Sequence, residues 1–226
     1  MAHYATSERE FADLYKILIG AVVPRPIAFV ATRSAAGQAN LAPFSFFNAV
    51  CQNPPTLAFS VIDRGPRMKD TSRNIGEHPE FIVHIVSEPI AQKMNITSGE
   101  YGGHINEFVE AGFTAVPGSA VDVPRVKEAL VAMECRMTHH LRIGSKPPYT
   151  SHILGEVVYW HVDDSVLTGS GRVDADRLQA VGRMGGADYA RTLDRFAMER
   201  PVLSEQDPRS VASFLASQKP IPVPRS

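Results

Sequence analysis

Cysteine is nearly missing: Cys51 and Cys135 are the only two in 226 residues. They lie far apart and lack metal-ligand spacing, so no disulfide framework or thiolate metal site is expected. Both read as small buried apolar residues. An excess of either charge is missing as well, since 23 Lys and Arg against 24 Asp and Glu leave a net charge of −1. That balance suggests neither nucleic acid nor an anionic membrane as partner. Long apolar runs are absent. The most apolar stretch, IGAVVPRPIAFVAT, contains Arg25 and two prolines and is too short to span a bilayer. MAHYATSERE has no basic region ahead of an apolar run, so no secretory signal is expected and the plain reading is a cytoplasmic protein.

Several signatures of known chemistry are also lacking. No GxGxxG follows a strand-like run and no GxxxxGK[ST] occurs, so neither a Rossmann site nor a P-loop is supported. HExxH is absent. His139 and His140 are neighbours, so on a strand they point to opposite faces, one packed and one solvated, and cannot share a metal. Without GxSxG the commonest esterase cue is gone.

What is present is an ordinary soluble composition, 44% hydrophobic and 21% charged, in a chain long enough to bury a core unaided. A helix is expected over Ser7 to Ile19: Ser7 and Glu10 form a capping box, and Phe11, Leu14, Tyr15 and Leu18 share one face before Gly20. Strands follow at 27–33, 56–62 and 81–86, with a turn at 34–38. Two longer strands, 129–144 and 151–164, flank a hairpin at 145–150. In the first, Val131, Met133, Cys135 and Met137 alternate with Ala132, Glu134, Arg136 and Thr138, which predicts one buried face. Short helices are expected at 69–78, 87–95, 106–112 and 174–181. Residues 1–203 read as one domain with an N-terminal helix. The tail, 204–226, holds one possible helix, PRSVASFLAS, and a Pro-rich end. The fold class is mainly β with peripheral helices, an antiparallel barrel.

Three stretches carry chemistry. PRPIAFVAT sets Arg25 between two prolines that stiffen its base. KDT opens a helix, so Lys69, Asp70 and Thr71 with Asn74 gather a cation, a hydroxyl and free N–H groups, the equipment of a phosphomonoester site. NLAPFSFFNAV surrounds Ser45 with Phe44, Phe46 and Phe47 and adds Asn40 and Asn48. A planar ligand with a polar edge needs such walls and rim. Phe44, beside Pro43, is assigned to the core.

These stretches, with PPTLAFSV, EFIVHIVSE, GEVVYWHVDDSVL and GRVDADRLQAVGRMGGADYAR, resemble the flavin reductase-like FMN-binding proteins, which include flavoredoxins and small components of two-component monooxygenases. The resemblance runs from about Ile17 to Arg191. It implies an FMN-binding split β-barrel with Greek-key-like order, assembled as a homodimer. It implies that Ser45, Phe46, Phe47 and Asn48 meet the isoalloxazine and ribityl chain, together with Thr32 and Ser60. It assigns the phosphate to Lys69, Asp70, Thr71 and Asn74, with Arg25 near the same region. The GRMGG stretch and Tyr189 are expected close to the site, from this subunit or its partner. EYGGHINEF, with His104, sits where the family often carries a mobile segment.

The function so implied is an oxidoreductase that takes hydride from NADH or NADPH onto FMN and passes electrons to a monooxygenase or other acceptor. The flavin does the bond-making, so no side chain is named as catalytic. The alternatives are an FMN electron-transfer protein and a non-redox FMN binder.

Overall fold

The computed structural model describes residues 1–63, 67–198 and 200, residue 216, and the backbone of 221 and 222. Apart from Ala216, the expected tail helix lies outside these residues.

In chain order the elements are α1 (Phe11–Ala21), β1 (Ala28–Arg33), β2 (Ala39–Phe44), β3 (Phe47–Gln52), β4 (Pro55–Ile62), α2 (Asp70–Glu77) and β5 (Glu80–Ile85). Then come α3 (Glu88–Ile96), α4 (Glu107–Glu110), β6 (Ala115–Pro117), β7 (Pro124–Val126), β8 (Val131–Ile143) and β9 (Thr150–Val162). The last are α5 (Ala175–Leu178), β10 (Val181–Arg183), β11 (Tyr189–Arg191), and β12 (Phe196–Ala197) paired with β13 (Ile221–Pro222).

Seven strands form one antiparallel sheet in the order β2-β1-β5-β8-β9-β4-β3. Its two edge strands, β2 and β3, are consecutive in sequence and joined only by Ser45 and Phe46. Flat, the sheet would hold its edges six strand spacings apart, roughly 29 Å. Three Cα steps reach about 11 Å at most. The sheet therefore has to curl until its edges meet, which is the split barrel the resemblance implied.

Curling gives the sheet an inner and an outer face, and both are covered. The inner cluster includes Val30, Phe59, Phe81, Met133 and Ile153, with Ile75 of α2. Phe59 bridges Phe44 and Phe81 at ring separations of 5.5 and 5.4 Å. Gly155 makes room for this stack, because a Cβ there would collide with the Phe81 ring. The outer cluster contains Phe29, Leu41 and Ile82 under α3, α4 and the segment around β6 and β7. Each fully buried large side chain contributes about 1.5–3 kcal/mol.

Several expectations change. The period of two in β8 fails over Val131–Cys135, where Ala132 and Glu134 are buried too, because that part of the strand has cover on both faces. Cys135 is buried as expected, but Cys51 is exposed, since β3 turns most of its side chains outward at the sheet edge. His140 is half-buried and His139 exposed. The capping box does not form. Ser7 lies in a 3-10 turn (Thr6–Glu8), the helix starts only at Phe11, and the Glu8 carboxylate accepts from the Ala5 N–H instead (2.9 Å).

Candidate functional site

The twelve residues singled out in the sequence separate into four groups. Ser45, Phe46, Ser60 and Lys69 line one cleft of about 450 Å³, with Pro43, Phe44, Ile62 and Asp63. Phe11 and Tyr15 of α1 complete it, two residues read from sequence only as a helix face. The Lys69 ammonium stands 5.8 Å from the centre of the Phe44 ring, and its backbone N–H donates to Asp63 Oδ1 (3.1 Å). Ser60 Oγ is 2.9 Å from His152 Nδ1, a partner that no sequence signal indicated. Phe44 is buried in the inner cluster, as assigned, while Phe46 and Phe47 remain half-exposed.

Thr32, Asn40, Thr71 and Asn74 also come together, but beneath the cleft. The Asn40 amide donates to the Thr32 and Thr71 hydroxyls (3.2 and 3.0 Å), and the Asn74 amide donates to Thr32 (3.1 Å). All four are buried, and they fasten α2 onto β1 and β2. The first turn of α2 turns the Thr71 hydroxyl toward the Asn40 amide. Asn74 Oδ1 and Ser72 Oγ are buried there with no hydrogen-bond partner among the described residues, so this junction retains unused polar capacity.

Asp70 forms its own group. It occupies the first turn of α2 and pairs with Arg73 at 2.5 Å. A carboxylate there suits the positive end of the helix. The 100–108 loop passes alongside: a Cβ on Gly103 would lie 3.5 Å from Asp70 Oδ1. Behind it Glu107 is buried and accepts from the Leu41 N–H on the free edge of β2 (3.1 Å). Burial raises its pKa above the ordinary carboxylate value.

Arg25, Phe47 and Asn48 line a second hollow of about 440 Å³ on the side of Leu18 and Val22. Arg25 is buried, and its guanidinium donates to the Ile19 and Val22 carbonyls (both 2.7 Å), to the Met184 carbonyl (2.9 Å) and to Ser45 Oγ (3.3 Å). It closes the C-terminal end of α1, and four of its five N–H groups are committed to protein oxygens. The GRMGG stretch meets it within this chain. Arg25 and Arg183 exchange backbone hydrogen bonds of 2.9 and 2.8 Å, and Gly182 permits the approach because a Cβ would lie 3.0 Å from Pro24 Cβ.

Ser45 lines both the cleft and this second hollow, so the two-residue seam of the barrel is also the centre of the site. Among the described residues no group of His, Cys, Asp and Glu is arranged to hold a metal, and no helix is long and apolar enough to cross a membrane.

Comparison with known proteins gives concordant results. Component B of the nitrilotriacetate monooxygenase from Bacillus cereus is 34% identical, with TM-score 0.84 over 88% of this chain and 98% of that one. The 2-nitrobenzoate 2-nitroreductase NbaA of Pseudomonas fluorescens is 32% identical, with TM-score 0.81 over 90% and 100%. The flavoredoxin of Desulfovibrio vulgaris is 25% identical, with TM-score 0.68 over 78% and 91%. The profile described as flavin reductase like domain matches residues 20–175, most of the sheet and its covering helices. The chain belongs to the flavin reductase-like domain family.

Proposed function

We propose that the chain binds FMN in the cleft beside Ser45 and acts as an oxidoreductase, accepting hydride from NADH or NADPH and delivering electrons to a partner protein or small acceptor. The observation that carries this reading is that Ser45, Phe46, Ser60 and Lys69 reach one cleft from separate segments of the chain. The residues fit the group. A volume of about 450 Å³ lies within the usual range for ligand sites, and the lining is mostly apolar with a few convergent polar groups.

When bound, FMN supplies the hydride-accepting atom and stores the electrons. Phe46 offers a flat apolar wall, and Phe44 closes the floor. Ser45 and Ser60 present hydroxyls to the rim, the latter oriented by His152. Lys69, beside the N-terminal turn of α2, offers a positive charge to the phosphate end. Phe11 and Tyr15 shield the opening from water.

A homodimer and a partner oxygenase belong to the same proposal. Phe11, Ile17 and Leu18 of α1 are 67%, 47% and 49% exposed, a large apolar outlay for an isolated subunit. The monooxygenase component among the similar structures supports an oxygenase as acceptor. The likeness to flavoredoxin favours a second reading, a carrier that holds FMN tightly and exchanges electrons only with proteins.

The test is the visible spectrum of the purified protein, then NADH and NADPH oxidation with and without added FMN. Tight yellow protein that leaves both nucleotides unoxidised selects the carrier. A colourless protein that takes up no FMN at micromolar concentration overturns both.

A further inference from the structure

Ser45 has a third neighbour. A smaller hollow of about 150 Å³ opens on its other side, floored by Ile27, Phe44 and Met94. Its polar lining includes Arg183, Tyr189 and Asn95. The Arg183 guanidinium lies 4.5 Å from the centre of the Tyr189 ring and gives one N–H to the Gly186 carbonyl. The Tyr189 hydroxyl donates to Asn95 Oδ1 (3.2 Å), which fixes the amide and leaves its NH2 as a further donor.

The electrostatics here are one-sided. Arg25 and Arg183 stand opposite each other in an antiparallel bridge, so their side chains leave the backbone on the same side. Both reach the surroundings of Ser45, Arg25 through the bond to its hydroxyl and Arg183 as a wall of the hollow. Arg25 is satisfied as a donor, but only by neutral oxygens. Among the described residues neither guanidinium forms an ion pair with a carboxylate. Two guanidinium groups without a carboxylate partner among the described residues flank one hydroxyl, and Arg183, with a single N–H committed, keeps most of its fork for an external anion.

We propose that this hollow holds the carboxylate end of a small planar organic acid, bound beside the flavin cleft as the second substrate of that site. The proposal rests on the flavin reading for the word substrate, and on this chain's geometry for the binding. Size excludes a dinucleotide, since about 150 Å³ accommodates one six-membered ring with a carboxyl group. The floor is apolar, so a bare phosphate would leave Ile27, Phe44 and Met94 unused. A guanidinium fork matches a carboxylate in two parallel hydrogen bonds, and Tyr189 keeps that fork in place by stacking.

The experiment is calorimetric titration of the full chain with benzoate and with its neutral isostere benzamide, each with and without FMN, repeated on Arg183→Gln. Benzoate binding about 10- to 100-fold tighter than benzamide is expected, the range for one charge-assisted pair. That ratio should collapse toward one in a folded Arg183→Gln protein, its folding checked by thermal melting. Equal binding of the two ligands, or an unchanged ratio in the folded variant, overturns the proposal. So does inorganic phosphate displacing benzoate at the same concentration, which marks a general anion site. If the variant does not fold, the wild-type ratio and the phosphate competition decide alone. Failure of the flavin reading shows separately, as absence of FMN uptake in the same preparation; FMN uptake without a benzoate preference overturns this proposal only.

Discussion

The two faces of the curled sheet are both buried, yet they are built differently. The inner face is closed by the sheet itself and by α2, around an apolar cluster that includes Ile75. Its buried polar residues Thr32 and Asn40 bond side chain to side chain with Thr71 and Asn74. The outer face is closed partly by irregular chain and by the short β6–β7 pair, whose sheet-facing backbone N–H groups have no strand to pair with, so the sheet supplies acceptors from side chains. His84 Nε2 accepts from Val126 (2.9 Å) while its Nδ1–H donates to the Phe29 carbonyl (2.8 Å). Glu134 accepts from Ser119, Ala120 and Val121 (2.6, 2.6 and 2.9 Å) and is 2.6 Å from His161 Nε2. A regular cover needs no buried side-chain acceptors for its backbone, whereas a loop cover does.

That contrast has measurable consequences. The largest effect belongs to the inner face: Phe81→Ala should cost about 3–5 kcal/mol in chemical denaturation, as a cavity opens beside Phe59 and Gly155. A loss below about 1 kcal/mol would show that the inner stack collapses into the space. On the outer face, Glu134→Gln should cost about 2–3 kcal/mol, since an amide cannot accept from every donor gathered there. Burial alone would raise the Glu134 pKa, but His161 and the three N–H groups pull it below the ordinary carboxylate value. Its contribution is therefore complete at neutral pH and is lost as pH falls below the ordinary carboxylate value and through the lowered one.

His84 operates at milder pH. Burial lowers its pKa to about 4 from 6.5, and the proton would fall on the very nitrogen that accepts from Val126. Below pH 6.5 the unfolded chain takes up a proton that the folded one refuses, so stability falls with pH until about 4. Between pH 7 and 5 the loss should be about 2 kcal/mol, measured as urea unfolding at each pH. His84→Gln should flatten that dependence, and a slope that survives it would place the proton elsewhere. The smallest effect lies where the inner face reaches the cleft at Phe44. Lys69→Ala should weaken FMN roughly tenfold, about 1.4 kcal/mol, and leave riboflavin nearly unchanged, read by fluorescence titration. Equal loss for both ligands would mean that the phosphate lies away from Lys69.

The strands were legible because turn residues separate them and their apolar residues are β-branched or aromatic, as in IAFVATR and FIVHIV. The strand pattern pointed to an antiparallel barrel, but not to how it closes, because closure depends on β2 and β3 being opposite edges, a fact of pairing that only the assembled sheet contains. Lys69, Ser45, Phe46 and Ser60 were read from residue type and family pattern, and the structure gathers them. Arg25 and Thr71 show the limit of such reading. Sequence gives their chemistry but not their direction: the carbonyls of Ile19 and Val22 come within reach of Arg25 only once α1 docks, and the amide of Asn40 reaches Thr71 only once α2 does. Glu134 left no signal, since its partners at 119–121 are backbone N–H groups that any sequence supplies.

The link between β2 and β3 has a further consequence, for folding and for divergence. Because Ser45 and Phe46 tether the two edges covalently, bringing them together adds almost no loop-closure entropy, however late the intervening strands assemble. Ser45 of the same tether lines both the large cleft and the small hollow. An insertion after it would cost the barrel little, yet it would shift one wall of the cleft relative to the hollow. Under the proposed function that two-residue length is a ruler, and lengthening it would retune the distance between the proposed flavin and acid positions.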